Sequence, residues 1–331
     1  MDANVIIAIV VSASAFVSVF FITPYLIKYL EKQNSTVKDY HRKGGAMVAR
    51  PGGPSLIIGI LISGLIFYAF CPMNEILAIL ITTSLAFLVG LVDDKKVMGG
   101  WFKPLALAGA AVPILLLGAY DSDLAFPLFG EVKIPLLYLA IVIIMIPITG
   151  NTINSIDVLN GVASGFMVIA GSAISISLLI LQNYEMFIVS LSLVFVSLAF
   201  YKYHKFPSRI FPGDSGALTL GAMYGAIAIV GEIEVIAAVA LGPAIFNSFL
   251  FLSSMKRIVE HREIKEKPVE LTEDFKLKAT SNKKASITLV RLILAGGKPL
   301  SEKEIGFVIF RLTIFSAILA IITAFMMGVS L

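Results

Sequence analysis

Ten long apolar runs dominate this chain and leave it one solvent in which to fold. They lie near 4–27, 54–71, 75–92, 104–119, 134–149, 158–181, 185–201, 215–230, 233–255 and 305–329. A helix needs about 20 apolar residues to cross the hydrocarbon of a bilayer. Residues that are 58% hydrophobic and only 15% charged, with a mean hydropathy of +0.92, cannot be hidden from water by one soluble core. A soluble enzyme and a disordered chain are both excluded. So is a disulfide-stapled domain, because Cys71 is the single cysteine. The expectation is one all-α polytopic domain over 1–331, with about ten transmembrane helices. The first run has no basic leader and ends at Pro24-Tyr25-Leu26 without a small-residue cleavage site, so it reads as a retained span.

The net charge of +4 suggests nucleic acid only until its placement is read. Every Lys and Arg except Lys133 falls in 28–50, 95–103, 202–209 or 256–311. Those are alternate loops with their flanks. The positive-inside rule then puts the odd-numbered loops in the cytoplasm and both termini outside. No nucleic-acid partner is implied. The outer loops are short, so chemistry is expected at the cytoplasmic face. The one long polar stretch, 256–304, alternates over 269–277 like a strand or hairpin. Its 287–294 stretch could lie in the membrane interface as an amphipathic helix. Ser301 and Glu304 form a capping box before the last span.

Polar residues at the ends of apolar runs carry the functional signal. Asp93-Asp94 closes the third run, where two like charges meet the negative end of a helix dipole. That arrangement calls for a cation, which Lys95 and Lys96 could also supply. Between two apolar runs lies Asn151-Thr152-Ile153-Asn154-Ser155-Ile156-Asp157-Val158-Leu159-Asn160-Gly161. In a helix, Asn151, Asn154 and Asp157 share roughly one face and offer hard oxygen ligands for Mg²⁺. Interhelical hydrogen bonding is the structural alternative. Asp214 opens the eighth run in Phe211-Pro212-Gly213-Asp214-Ser215-Gly216, where an N-cap alone would explain one Asp. Lys103, His204, Lys205, Arg209, His261 and Arg262 supply bases on the same side. Positive-inside bias accounts for most of these, and the scattered histidines match no zinc spacing. Acids, amides and bases converging on one face describe a site for Mg²⁺ and phosphates, open both to the cytosol and to the bilayer. A secondary transporter would also use intramembrane Asn and Asp, but the clusters sit at one face and no inverted repeat is visible.

The order of these motifs resembles the polyprenyl-phosphate N-acetylhexosamine-1-phosphate transferase family. That family includes the dolichyl-phosphate GlcNAc-1-phosphate transferase and the bacterial phospho-MurNAc-pentapeptide translocase. Arg50-Pro51-Gly52-Gly53, Asp93-Asp94 with Lys103, Asn151 to Gly161, Phe211 to Gly216 and His261-Arg262 follow one another as the family's motifs do. The resemblance implies ten transmembrane helices, a cytoplasmic-face site in the cell membrane, and a homodimer. It implies transfer of N-acetylhexosamine 1-phosphate, GlcNAc-1-phosphate first among the choices, from a UDP-sugar to a polyprenyl (dolichyl) phosphate. UMP is released. The cofactor is Mg²⁺, with Mn²⁺ able to replace it. By the same resemblance Asp214 and Asn154 hold the metal, and Asn160 contacts uracil. Lys103, His261 and Arg262 bind phosphate oxygens or the sugar. Asp93 and Asp94 stand by the lipid phosphate. Asp93, Asp94, Lys103 and Asp214 are thus the catalytic candidates. Asn151, Asp157, Asn160, Gly161, Arg209, His261 and Arg262 are the substrate-binding ones. Asp157 beside Asn160 mixes the bacterial and eukaryotic patterns, and with the His-Arg-Glu of the last loop suggests a prokaryotic, archaeal-type member. Two routes stay open: direct attack by the lipid phosphate, or an aspartyl intermediate on Asp93 or Asp94. A phosphate monoester is already ionised near neutral pH, which favours direct attack.

Overall fold

The computed structural model describes residues 3–42, 44–96, 99, 101–255 and 266–328. His261 and Arg262 lie outside the described residues. In chain order the elements are α1 (Ala3–Lys32), β1 (Thr36–Lys38), β2 (Met47–Ala49), α2 (Gly53–Phe70), α3 (Asn74–Lys95), α4 (Phe102–Ala110) and α5 (Val112–Leu116). There follow β3 (Asp123–Phe126), β4 (Gly130–Lys133), α6 (Pro135–Ile156), α7 (Val162–Ile180), α8 (Tyr184–His204), α9 (Gly213–Val230), α10 (Glu234–Ala240) and α11 (Gly242–Met255). The last elements are β5 (Val269–Leu271), β6 (Leu277–Ala279), α12 (Leu289–Ile293) and α13 (Glu302–Gly328).

The expected all-α membrane architecture is what the structure has. Among the described residues eight helices are long and apolar enough to span a bilayer: α1, α2, α3, α6, α7, α8, α9 and α13. Two of the ten expected spans take another form. The run 104–119 is the short pair α4 and α5, broken at Ala111 just ahead of Pro113, whose ring cannot continue a helix. The run 233–255 is α10 and α11, bent by 74° at Leu241, and it supplies a ninth crossing only if the pair counts as one. Hydropathy reads composition and is blind to a bend of this kind.

α9 is the centre of the bundle, with 94% of its apolar window buried. Its length is rich in Gly and Ala, and small residues let neighbouring backbones approach closely where lipid offers no hydrophobic drive between helices. It packs most extensively against α3 and α6. Hydroxyl groups inside the helices bond back to their own turns, as Thr23 Oγ1 does to the Val19 carbonyl at 2.7 Å. A hydroxyl satisfied in this way adds no unpaired polar group to the span.

Among the described residues three two-stranded antiparallel hairpins, β1–β2, β3–β4 and β5–β6, lie in the loops between helices. β5–β6 falls in the last long loop, with Val269 opposite Ala279. Between β6 and α13 only Leu289–Ile293 is helical. Leu289 and Val290 are buried against protein, while Ile287 and Leu292 stay exposed. Arg291 is the hub of this loop, donating to the carbonyls of Ser286 at 3.1 Å and Asn282 at 2.8 Å. The Ser301–Glu304 capping box is present: Ser301 N donates to the Glu304 carboxylate at 2.7 Å, and Glu304 N donates back to Ser301 Oγ at 3.4 Å.

Candidate active site

The C-terminal ends of α3, α6 and α8 meet the N-terminal ends of α2, α4, α9 and α13 at one face of the bundle. The segment before α2 docks on the segment before α9. Phe211 N donates to Ala49 O at 2.9 Å, Gly52 N to Phe211 O at 2.8 Å, and Gly53 N to Pro212 O at 3.1 Å. Both segments contain a cis X-Pro bond nearby, Arg50–Pro51 and Phe206–Pro207. This clasp aims Arg50 and Asp214 at each other.

Asp94, at the end of α3, caps α9 from outside its own chain segment. Its carboxylate accepts from Asp214 N at 3.0 Å, Ser215 N at 2.9 Å and Ser215 Oγ at 2.7 Å. Those are two of the orphan N–H groups at the start of a helix. The negative charge also suits the positive end of the α9 dipole. Asp94 therefore fixes the start of α9 and, with it, the position of Asp214. Arg50 joins them, reaching Asp94 at 3.1 Å and Asp214 at 2.7 Å. Lys103, buried at the start of α4, lies 2.7 Å from Asp93 and 2.8 Å from Asp214. Asn154 donates to Asp214 at 3.0 Å. Three carboxylates against two cations leave the cluster with a net negative charge.

Gly213 makes this arrangement possible. Its φ is +71°, and a Cβ there would stand 2.8 Å from both Asp94 carboxylate oxygens. Those oxygens are pinned by backbone N–H groups and cannot retreat. Gly213→Ala is expected to lower stability by about 1–3 kcal/mol and to lower the thermal unfolding midpoint in detergent.

The other sequence candidates separate. Asn151 turns its amide back to the Pro147 carbonyl at 2.9 Å and faces an apolar groove. α6 ends at Ile156, so Asp157 leaves the helical face that Asn151 and Asn154 begin, and sits 3.6 Å from His204. Asn160 spends its whole amide on protein. Nδ2 donates to Glu302 at 2.7 Å and to Asp39 at 3.3 Å, and Oδ1 accepts from Ser208 N at 3.0 Å. Gly161, at φ +81°, starts α7 with its Cα side closed off by Lys205 and Tyr201. Arg209 is exposed and stacks over the Tyr203 ring at 5.9 Å, away from the cluster.

Two cavities meet at the cluster. One, of about 420 Å³, runs from Arg50, Asn154 and Asp214 to Asp39, His41 and Glu302. The other is an apolar groove of about 580 Å³ between α4, α6 and the bent α11, lined by Leu105, Ile144, Ile148 and Phe249 among others, with Lys103 at its polar end. Asn154 and Ser155 line both. Sequence reasoning passed over Asp39, His41 and Glu302, and it took Arg50 only as part of a motif. His41 Nδ1 lies 3.4 Å from Glu302. Burial alone would lower the His41 pKa, but Glu302 and then Asp39 raise it on balance. Asp157 is pushed up to about 7, chiefly by burial, with Arg50 opposing and Asp214 and Asp94 adding to the rise. A carboxyl with a raised pKa costs stability as it ionises. Stability is therefore expected to fall as pH rises from the ordinary aspartate range toward 7 and to level off above. Asp157→Asn should flatten that fall, measured as unfolding midpoint against pH.

Fold and site together define a multi-pass membrane protein with a polar cluster open to an aqueous cavity and to an apolar groove. Residues 76–232 match the family model described as glycosyl transferase family 4. The chain is 27% identical over 244 residues to a protein of Saccharolobus solfataricus named as a UDP-N-acetylglucosamine–dolichyl-phosphate N-acetylglucosaminephosphotransferase, covering 72% of this chain and 76% of that one. It is 28% identical over 276 residues to a Bacillus subtilis protein named as an undecaprenyl-phosphate N-acetylglucosaminyl 1-phosphate transferase, covering 80% and 75%. It is 28% identical over 247 residues to the phospho-N-acetylmuramoyl-pentapeptide-transferase of Caldicellulosiruptor bescii, covering 69% and 75%. The family likeness drawn from the order of motifs is borne out.

Proposed function

We propose that the protein transfers N-acetylhexosamine 1-phosphate, with GlcNAc-1-phosphate the first choice, from a UDP-sugar to a polyprenyl phosphate at the cytoplasmic face of the cell membrane. The observation that carries this reading is the junction itself. A charged cavity large enough for a nucleotide meets an apolar groove large enough for a lipid chain, with Asn154 lining both and Lys103 reaching from the groove to Asp214. The names of the relatives supply the substrate classes. The same likeness brings a homodimer into the reading.

The chemistry of this reading is direct attack, because a lipid phosphate is already ionised near neutral pH. An oxygen of the lipid phosphate attacks the β-phosphorus of the UDP-sugar. The bond from that phosphorus to the bridging oxygen breaks, and UMP leaves with the electron pair. The sugar C1–O bond is not cut, so the anomeric configuration is retained. Arg50 and Lys103 offer positive charge to the phosphoryl oxygens. They are already held in place by Asp93, Asp94 and Asp214, so little reorganisation is needed.

A divalent cation fits the donor set. Asp94 is committed to the start of α9, but Asp214 and Asn154 present a carboxylate and an amide to the cavity. Turning the Asn154 amide brings its oxygen forward, giving two hard ligands in a cluster with a net negative charge. Mg²⁺, or Mn²⁺ in its place, would neutralise charge on the pyrophosphate when bound.

The test is UMP release by the purified protein with a polyprenyl phosphate and a panel of UDP-sugars. Release that needs the lipid, stops with EDTA and returns with Mg²⁺ is expected for one UDP-N-acetylhexosamine. No release with any donor, from folded protein in lipid, would overturn the reading.

A further inference from the structure

The aqueous cavity ends in three residues that the transfer chemistry leaves unused: Asp39, His41 and Glu302. They come from the segment after β1 and from the start of α13. Their ligand-type atoms lie within 4.8 Å of one another. Glu302 is 5% exposed. One of its oxygens, Oε1, accepts from the Asn160 amide at 2.7 Å. The other, Oε2, is buried and has no hydrogen-bond partner. A buried carboxylate oxygen left without a donor costs the full desolvation of that group. A ligand that brings an N–H to it removes the cost.

The direction of the reaction says which part of the ligand arrives there. Displacement at phosphorus needs the attacking and leaving oxygens roughly in line, on opposite sides. The acceptor enters from the apolar groove, which meets the cavity at Asn154 and Ser155. The leaving nucleotide must then extend away from the groove, toward Asp39, His41 and Glu302. We propose that Glu302 selects the base, by accepting the N3–H of the uracil ring, and that Asn160 positions Glu302 instead of reading the base itself. This rests on the transferase reading above.

The donor and acceptor pattern agrees. Uracil presents an N–H flanked by two carbonyls. Glu302 is held through one oxygen, Oε1, by the Asn160 amide and the nearby His41 ring, which leaves Oε2 as the acceptor for that N–H. Cytosine presents a lone pair at N3 and would face a carboxylate with no proton between them. Ribose hydroxyls could satisfy Oε2 as well, but they would make no distinction between the two bases.

The experiment measures binding of UMP and of CMP to the full-length protein, wild type and Glu302→Gln, by calorimetry in detergent or nanodiscs. Glu304→Gln, which alters the adjacent cap of α13 outside the cavity, is the control. Wild-type protein is expected to prefer UMP to CMP by on the order of tenfold or more. Glu302→Gln should remove most of that preference, because an amide can turn either its oxygen or its NH₂ to the ring. Glu304→Gln should keep it. An equal loss of UMP and CMP affinity in Glu302→Gln would mean that Glu302 only holds Asn160 or meets the ribose, and would overturn the proposal. So would wild-type protein that releases UMP from UDP-sugars without preferring UMP to CMP, a result that leaves the transferase reading standing. Protein that neither binds UMP nor turns over any donor overturns both.

Discussion

Asp214→Asn is expected to reduce turnover by on the order of 10³, while the protein still inserts and unfolds at nearly the wild-type temperature. Asp214 receives Arg50, Lys103 and Asn154, and it is the carboxylate best placed to turn to a metal. Its replacement takes away charge but leaves the clasp between the α2 and α9 segments intact, since that clasp is made of backbone groups. Asp94→Asn should fail differently. There an NH₂ group faces the N–H groups of Asp214 and Ser215, and donors repel donors. Turnover is lost, and the unfolding midpoint falls with it. The pair of variants separates a residue that acts on substrate from one that positions it. Turnover near wild type in Asp214→Asn would remove this residue from the site. An unchanged midpoint in Asp94→Asn would deny it the capping role.

The part of this site that was legible in the sequence was legible because of cost. Asp93, Asp94, Lys103, Asn154 and Asp214 stand at the ends of apolar runs, where a polar residue needs a reason. The structure brings those five into mutual contact. Arg50 was hidden for the opposite reason. Positive-inside bias fills the first polar segment with Lys and Arg, and nothing distinguishes the one that turns inward. Asp39, His41 and Glu302 were also unreadable, because they lie in polar surroundings without an apolar frame. Glu302 stands beside a capping box that already explained an acidic cluster. Asn151 and Asp157 were placed on one face with Asn154 by assuming that the helix continued. α6 stops at Ile156, and a period cannot be extended past the end of its helix. The bend between α10 and α11 escaped for a related reason, yet that bent helix forms one wall of the apolar groove.

Lys103 is where stability and function can be separated most sharply. It is buried, and it is held between Asp93, which is fully buried, and Asp214. Removing one partner from a buried ion pair costs about 3–5 kcal/mol, because the remaining charge is left uncompensated. Lys103→Met should therefore lower the unfolding midpoint strongly and abolish turnover. The second effect could follow from the first. Asp93→Asn added to Lys103→Met takes away the stranded charge, and should recover most of the lost stability. Turnover should not recover, because the positive charge at the junction of cavity and groove is still missing. Non-additivity of that sign in stability, with no rescue of activity, is the signature of a lysine whose charge meets the substrate phosphates. If the double variant regained activity along with stability, Lys103 would be a counter-ion for the fold alone. Arg50 would then be the cation that meets the phosphates.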